Sequence, residues 1–135
     1  MGSGIAFAIR RKWPVVYDRY CDFVQQMSSS DKFEPNPAGM LGLVQSIEIS
    51  SGLHVCNCFT QENCGSDGSV YADVAAVSEC LESVFSFAEY SNLPLFLPKI
   101  GCGLGGLNWE TDVRPILDNL HIEHPCVSVT VVTWP

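Results

Sequence analysis

Apolar residues recur along the chain in two rhythms. Ile5, Ala6, Ile9 and Trp13 keep the spacing of one helix face, so a helix is expected over residues 5–12. Pro14 suits the first turn of a second helix, running to about Gln26 with Val16, Tyr20, Phe23 and Val24 inward. The Ser- and Pro-rich stretch 28–37 reads as a loop. The rhythm then becomes alternation. Leu43, Ile47 and Ile49 share one side of a strand over 41–49, and Ser51-Gly52 makes a tight turn. The next strand, 53–59, sets Leu53, Val55, Asn57 and Phe59 against His54, Cys56 and Cys58, so a hairpin is expected. Its lack of charge places it inside a sheet. After a polar loop, 60–69, the longest helical pattern covers 70–90 with Val74, Val77, Leu81, Val84, Phe85 and Ala88 at 3.6-residue spacing. Asn92-Leu93-Pro94 ends it, and 95–100 reads as a buried strand. Asn108 or Asp112 can cap a further helix reaching Leu120, with Pro115 tolerated only if that helix begins near Asp112. Val127, Val129 and Val131 alternate with Ser128, Thr130 and Val132 in a last strand.

Helices alternating with strands predict an α/β layered fold with a largely parallel sheet. A length of 135 residues suits one domain over 1–135, and 47% hydrophobic against 16% charged residues fits a folded core. No apolar run reaches membrane-spanning length and no signal-peptide pattern opens the chain, so a cytoplasmic location is the default expectation. The formal net charge is −8, and the one basic cluster is Arg10-Arg11-Lys12. General nucleic-acid binding is not expected on that balance. An anionic ligand would have to be held by backbone dipoles or a local pocket. The seven cysteines form no C-x-x-C and several lie in apolar runs, so they are expected to be reduced and structural. His121, His124 and Cys126 cluster without a fourth obvious ligand, and no metal is expected there.

The candidate chemistry lies in glycine. Four glycines, Gly101, Gly103, Gly105 and Gly106, fall within six residues at the end of the 95–100 strand. A loop so poor in side chains brings backbone N–H groups close to a ligand, a common way to cradle phosphate. A second such stretch, Gly2-Ser3-Gly4, leads straight into the first helix. Two such loops suggest a diphosphate held from both sides; the alternative is a pair of plain turns. Gly101, Gly103 and Gly106 match a dinucleotide fingerprint in spacing but stand near the wrong end of the chain, and no acidic residue ends the following strand. No Gly-Lys-Ser/Thr occurs, which excludes a P-loop.

In the order of these parts the chain resembles the macro domain, the ADP-ribose-binding module. The resemblance rests on Met1-Gly2-Ser3-Gly4-Ile5-Ala6 with the helix to Trp13-Pro14, on the stretch 55–61, and on the stretch 97–110. It is nearest the branch of the yeast-type ADP-ribose-1″-phosphate phosphatase and the terminal ADP-ribose glycohydrolase, which has small stand-alone members in phages. The resemblance implies a three-layer α/β/α fold with a mixed, largely parallel sheet. It implies ADP-ribose, a derivative or an ADP-ribosylated macromolecule as partner, with no cofactor and no metal. Gly2, Ser3, Gly4, Ile5 and Ala6 would clamp the diphosphate and distal ribose against Gly101, Cys102, Gly103, Leu104, Gly105 and Gly106. Asn57, Phe59, Thr60 and Gln61 would line the pocket, and Trp109 would stand beside the second loop. The implied activity is hydrolysis of a derivative such as ADP-ribose-1″-phosphate. A non-catalytic reader or sponge is the alternative, and a macro-like chain acting through protein interaction a third.

Two departures qualify the resemblance. The family has strands ahead of the Met-Gly-Ser-Gly loop, one inside the sheet, with an acidic residue that reads adenine; this sequence holds neither strand. The expectation is a macro-like domain with an open sheet, less stable than a full one and prone to association. The glycohydrolase branch also uses a lysine after the central strand and an aspartate in the second glycine loop. Here Phe59-Thr60-Gln61-Glu62 and Gly105 or Gly106 stand in those places. A hydrolytic route would need a general base, for which Glu62, Asp67 and His54 are the candidates, His54 being on the opposite strand face from Asn57. Cys102, near a helix start, is a candidate thiolate or a small loop-filling residue.

Overall fold

The computed structural model describes residues 4–29, 37–63 and 65–133. Helix α1 (Gly4–Lys12) and helix α2 (Pro14–Ser29) meet at Trp13, where proline restarts the helix as expected. A single 3-10 turn (Pro37–Met40) leads into the hairpin of β1 (Val44–Ser50) and β2 (Leu53–Cys58). Helix α3 (Val74–Ser91), β3 (Leu95–Pro98), a π-turn (Trp109–Val113), α4 (Arg114–Glu123) and β4 (Val129–Val132) follow.

The hairpin is antiparallel, with Gln45 opposite Asn57 and Ile47 opposite Val55. Gly52, at φ +76, makes the turn that residues with a Cβ rarely adopt. One face of the hairpin lies on α2. There Phe59 stacks on Tyr20 (5.8 Å between ring centroids) and meets Phe23 at a tilt (5.6 Å), and Gln45 Nε2 donates to the Arg19 carbonyl. The other face lies on α3, where His54 meets Phe87 edge-on at 5.0 Å and the Cys80 thiol donates to the Leu43 carbonyl.

Helix α3 is the centre of the core. Its side chains Val77, Leu81, Phe85 and Ala88 pack with Leu97 of β3, Leu117 and Leu120 of α4, and Val113 and Val127. Full burial of a side chain such as Phe85 or Leu81 stabilises by about 1.5–3 kcal/mol. The helix is closed at both ends. The Asp73 carboxylate accepts the Ala76 N–H, worth about 1 kcal/mol, and Asn92 stops the helix in the left-handed region.

Four sequence expectations need correction. Among the described residues the strands do not form one largely parallel sheet. They form two two-stranded sheets, β1–β2 antiparallel and β3–β4 parallel. Strand β2, expected inside a sheet, pairs only with β1 among the described residues. Its uncharged character follows from helices on both of its faces. The long helix starts at Val74, because Asp73 caps it, and Val70 sits in the preceding loop, 64% exposed. The first helix also buries less than its apolar stripe suggests, for Ile5 is exposed and no residue of α1 is buried.

The α3-facing side of the hairpin carries a pH-dependence. Burial pushes the Cys56 thiol up, partly opposed by a hydrogen bond with Ser46. The folded chain therefore keeps this proton where the unfolded chain has released it. Stability is full below the ordinary thiol value and falls as pH rises past it. Thermal midpoints are expected to drop above about pH 8.5. Cys56→Ala should make that drop shallower; an identical slope in both proteins would count against the assignment.

Candidate functional site

Strands β2 and β3 end side by side in loops that are tied to one another. Beyond β2, Thr60 is buried and its carbonyl accepts the Asp73 N–H at 2.8 Å. Gln61 bridges antiparallel to Ala72. Beyond β3, the carbonyl of Gly105 accepts the N–H groups of both Tyr71 and Ala72 at 2.9 Å. The glycine loop thus docks on the segment that leads into α3.

Within that loop the glycines divide by cause. Gly101 and Gly106 have φ of +73 and +78, where a side chain strains the backbone. A Cβ on Gly105 would lie 2.5 Å from the Gly101 carbonyl oxygen and 2.9 Å from Ala72 Cβ. These three are required by the loop's own folding. Gly103 is not, because a Cβ there would meet nothing within 4 Å. The loop is closed by bonds from Gly106 N–H to the Gly103 carbonyl (3.1 Å) and from Leu107 N–H to the Gly101 carbonyl (3.0 Å). Among the described residues, the consecutive N–H groups of Gly103, Leu104 and Gly105 have no backbone acceptor. Successive N–H groups of this kind form a concavity suited to an anion. Leu104 is half exposed beside them.

One cation stands near the loop. The Lys99 ammonium lies 5.7 Å from the ring centroid of Trp109, which itself packs on the core. Nothing in the sequence singled out Lys99, which the structure sets against Trp109. The Cys102 thiol is pushed up by burial in spite of Lys99, and it donates to the Ile100 carbonyl at 3.3 Å. It is a neutral, loop-filling residue and not a thiolate.

The candidate bases are scattered. The Asp67 carboxylate accepts the Ser69 N–H (2.9 Å) and the Tyr71 hydroxyl (3.0 Å), and these bonds hold it below the usual carboxylate range. It is a latch for the 65–71 turn and a weaker base than an ordinary aspartate. His54 lies under α3 against Phe87. Glu62 is exposed and has no ion pair among the described residues. Tyr71, which anchors the glycine loop through its N–H and Asp67 through its hydroxyl, carries no sequence signal, since the first bond belongs to the backbone.

The remaining candidate residues separate into two groups. Gln61 lies at the glycine loop, its Oε1 being 3.0 Å from where a Gly105 Cβ would stand. Asn57 turns to the α2 side, donating to Gln45 Oε1 at 3.0 Å, and Phe59 joins the aromatic stack on the same face. Gly4, Ile5 and Ala6 form the first turn of α1, whose leading N–H groups lack intrahelical acceptors. Gly2 and Ser3 lie outside the described residues. Among the described residues no hydrogen bond joins the start of α1 to the 101–106 loop. No group of three metal-ligating side chains occurs among them either, His121, His124 and Cys126 included. His124 instead bonds Glu89 at 2.7 Å.

No family model and no curated protein matches the sequence. Solved structures do match in fold. A macrodomain protein from Streptomyces coelicolor has a TM-score of 0.74 at 23% identity, over 98% of this chain and 79% of that one. The macrodomain of Mycobacterium tuberculosis DarG has a TM-score of 0.72 at 19% identity, over 100% and 82%. A protein of unknown function from Bacteroides thetaiotaomicron has a TM-score of 0.71 at 26% identity, over 96% and 76%. The chain therefore has a macrodomain-like fold, and these likenesses do not reach a particular branch.

Proposed function

We propose that the chain binds ADP-ribose or a derivative of it, with the diphosphate at the 101–106 loop. The observation that carries this reading is the row of N–H groups at Gly103, Leu104 and Gly105 that have no backbone acceptor among the described residues, in a loop where the packing does not require Gly103 to lack a side chain. Partial positive charge from backbone N–H groups there and at the first turn of α1 lets a chain of net charge −8 hold a dianion. Lys99 adds one local cation. The fold shared with two macrodomains supports the same ligand class.

Binding is favoured over hydrolysis. Hydrolysis of ADP-ribose-1″-phosphate needs a base within reach of an attacking water. Asp67 has its carboxylate engaged by Ser69 and Tyr71, and His54 is packed under α3. Glu62, which is exposed, is the one candidate of the three held by neither a side-chain hydrogen bond nor a ring contact among the described residues.

Calorimetry with ADP-ribose tests the reading. Gly103→Glu adds a carboxylate where there is open space, so the fold should melt as before while affinity falls at least about tenfold, or 1.4 kcal/mol. Unchanged affinity would remove the ligand from this loop. Incubation with ADP-ribose-1″-phosphate is expected to release no phosphate. Release that is lost in Glu62→Gln would restore the hydrolase reading.

A further inference from the structure

The described cysteines stand in unlike surroundings. Cys21 and Cys126 are exposed, and the Cys102 thiol donates to the Ile100 carbonyl within its own loop. Cys56 and Cys58 alternate with Asn57 along β2 and so share one side of the hairpin. Cys80 of α3 is fully buried, and its thiol is in hydrogen-bond contact with that of Cys58. Cys56 instead has its hydrogen bond with Ser46, its partner across the hairpin. Two thiols from separate elements therefore meet, with the whole segment from Phe59 to Glu79 running between them.

The neighbourhood permits a bond between these sulfurs. The Cys80 thiol donates to the Leu43 carbonyl at 3.3 Å and lies 3.9 Å from the Phe59 carbonyl. Both carbonyls already have a backbone donor, Phe59 N–H for Leu43 and Gly42 N–H for Phe59. Loss of the thiol proton thus strands no buried acceptor. A disulfide demands close approach of two side chains, a condition most cysteine pairs in a fold fail. Thiols in hydrogen-bond contact come near to meeting it. The contact also divides their acidity. Cys58 is pushed up by donating to Cys80 and by burial, whereas accepting that bond holds Cys80 below the ordinary thiol value in spite of burial. Cys58 is only half-buried, so it is the sulfur a small reagent can reach. Cys80 is the sulfur readier to act as thiolate.

We propose that Cys58 and Cys80 form a reversible redox-modification site, closed to a disulfide by hydrogen peroxide and reopened by a small thiol. In the first step the Cys58 sulfur attacks one peroxide oxygen. The S–O bond forms, the O–O bond breaks, and the departing hydroxide takes the thiol proton and leaves as water. Cys58 is then a sulfenic acid, oxidised by two electrons. In the second step the Cys80 sulfur attacks the Cys58 sulfur. The S–S bond forms, the S–O bond breaks, and the released hydroxide takes the Cys80 proton as a second water. Two thiols and one peroxide have become one disulfide and two waters. Excess small thiol reverses this by exchange, restoring both cysteines and forming its own disulfide. The closed bond ties the end of β2 to α3 and encloses the segment in which the Thr60 carbonyl accepts the Asp73 N–H. No residue of the 101–106 loop takes part, so the test is read independently of ADP-ribose binding.

The whole folded chain is treated with equimolar hydrogen peroxide, alkylated, and cut by a glutamate-specific protease. Cleavage after Glu48, Glu62 and Glu79 puts Cys58 and Cys80 on different peptides, and Cys64 on a third. Mass spectrometry is expected to show the Cys58 and Cys80 peptides joined, with two hydrogens lost. Fragment sequencing should place the link at Cys58 and not Cys56, and dithiothreitol should remove it. The oxidised chain should melt about 5–10 °C higher, because the link constrains the unfolded chain. In Cys80→Ser a diketone probe should label Cys58 as the sulfenic acid, since nothing resolves it. Cys58→Ser replaces the less buried sulfur and should give no link and no shift in melting, which keeps the test open should Cys80→Ser fail to fold. Recovery of both peptides as alkylated thiols, a link to Cys56 or Cys64 in place of Cys58, or a link that forms only in urea would each overturn the proposal.

Discussion

Phe85→Ala is expected to leave the chain only marginally folded at room temperature. The ring is fully buried in α3, packed with Leu81, Leu97, Leu117 and Leu120, and it lies 5.9 Å from the His124 ring. Truncating such a ring costs about 3–5 kcal/mol, the lost transfer energy plus the cavity left behind. A small domain has only about 5–15 kcal/mol in total. With its strands split between two short sheets, this chain belongs toward the lower end. Urea titration followed by far-UV circular dichroism should show the cooperative transition lost or moved to very low denaturant. Tyr90→Ala, on the same helix but 91% exposed, should shift stability by no more than about 0.5 kcal/mol. Equal effects of the two substitutions would mean that the inward face of α3 is misassigned.

That contrast marks how far the sequence could be read. The face of α3 was legible because Val77, Leu81, Val84, Phe85 and Ala88 repeat at helical spacing and are all buried. The hairpin was legible because alternation flanks Gly52, a residue free to take positive φ. The break at Pro14 was legible because proline suits a helix start. Strand pairing was not. Alternation tells which way a side chain points, and says nothing of which backbone lies alongside. In sequence, strand β2 reads as interior because it is uncharged. Helices α2 and α3 lie against the two faces of the hairpin, which disfavours charge whatever its edge meets. The apolar character of Val70 draws it into the helical pattern, whereas the bond from the Ala76 N–H to Asp73 decides where that helix starts. In the glycine loop, composition gave permissiveness but not purpose. Four glycines look alike in sequence, and only the packing separates Gly103 from the others.

Gly105→Ala turns that separation into a measurement. The new methyl would sit 2.5 Å from the Gly101 carbonyl oxygen and 3.0 Å from Gln61 Oε1. The Gln61 side chain can swing aside, but the Gly101 carbonyl belongs to the backbone of the same loop and cannot do so without moving it. The loop must shift, and with it the Gly105 carbonyl that holds Tyr71 and Ala72. Overpacking costs about 1–3 kcal/mol, and each weakened bond adds about 1 kcal/mol. A loss of roughly 3 kcal/mol is therefore expected, with faster amide exchange at Tyr71 and Ala72 and loss of ADP-ribose binding. Gly103→Ala should leave stability within about 0.5 kcal/mol, since its methyl enters open space. Its effect on ADP-ribose binding then reports how closely the ligand approaches the loop. If Gly105→Ala melts like the parent chain while Gly103→Ala does not, the loop is folded differently and the N–H row at Gly103–Gly105 is not a phosphate cradle.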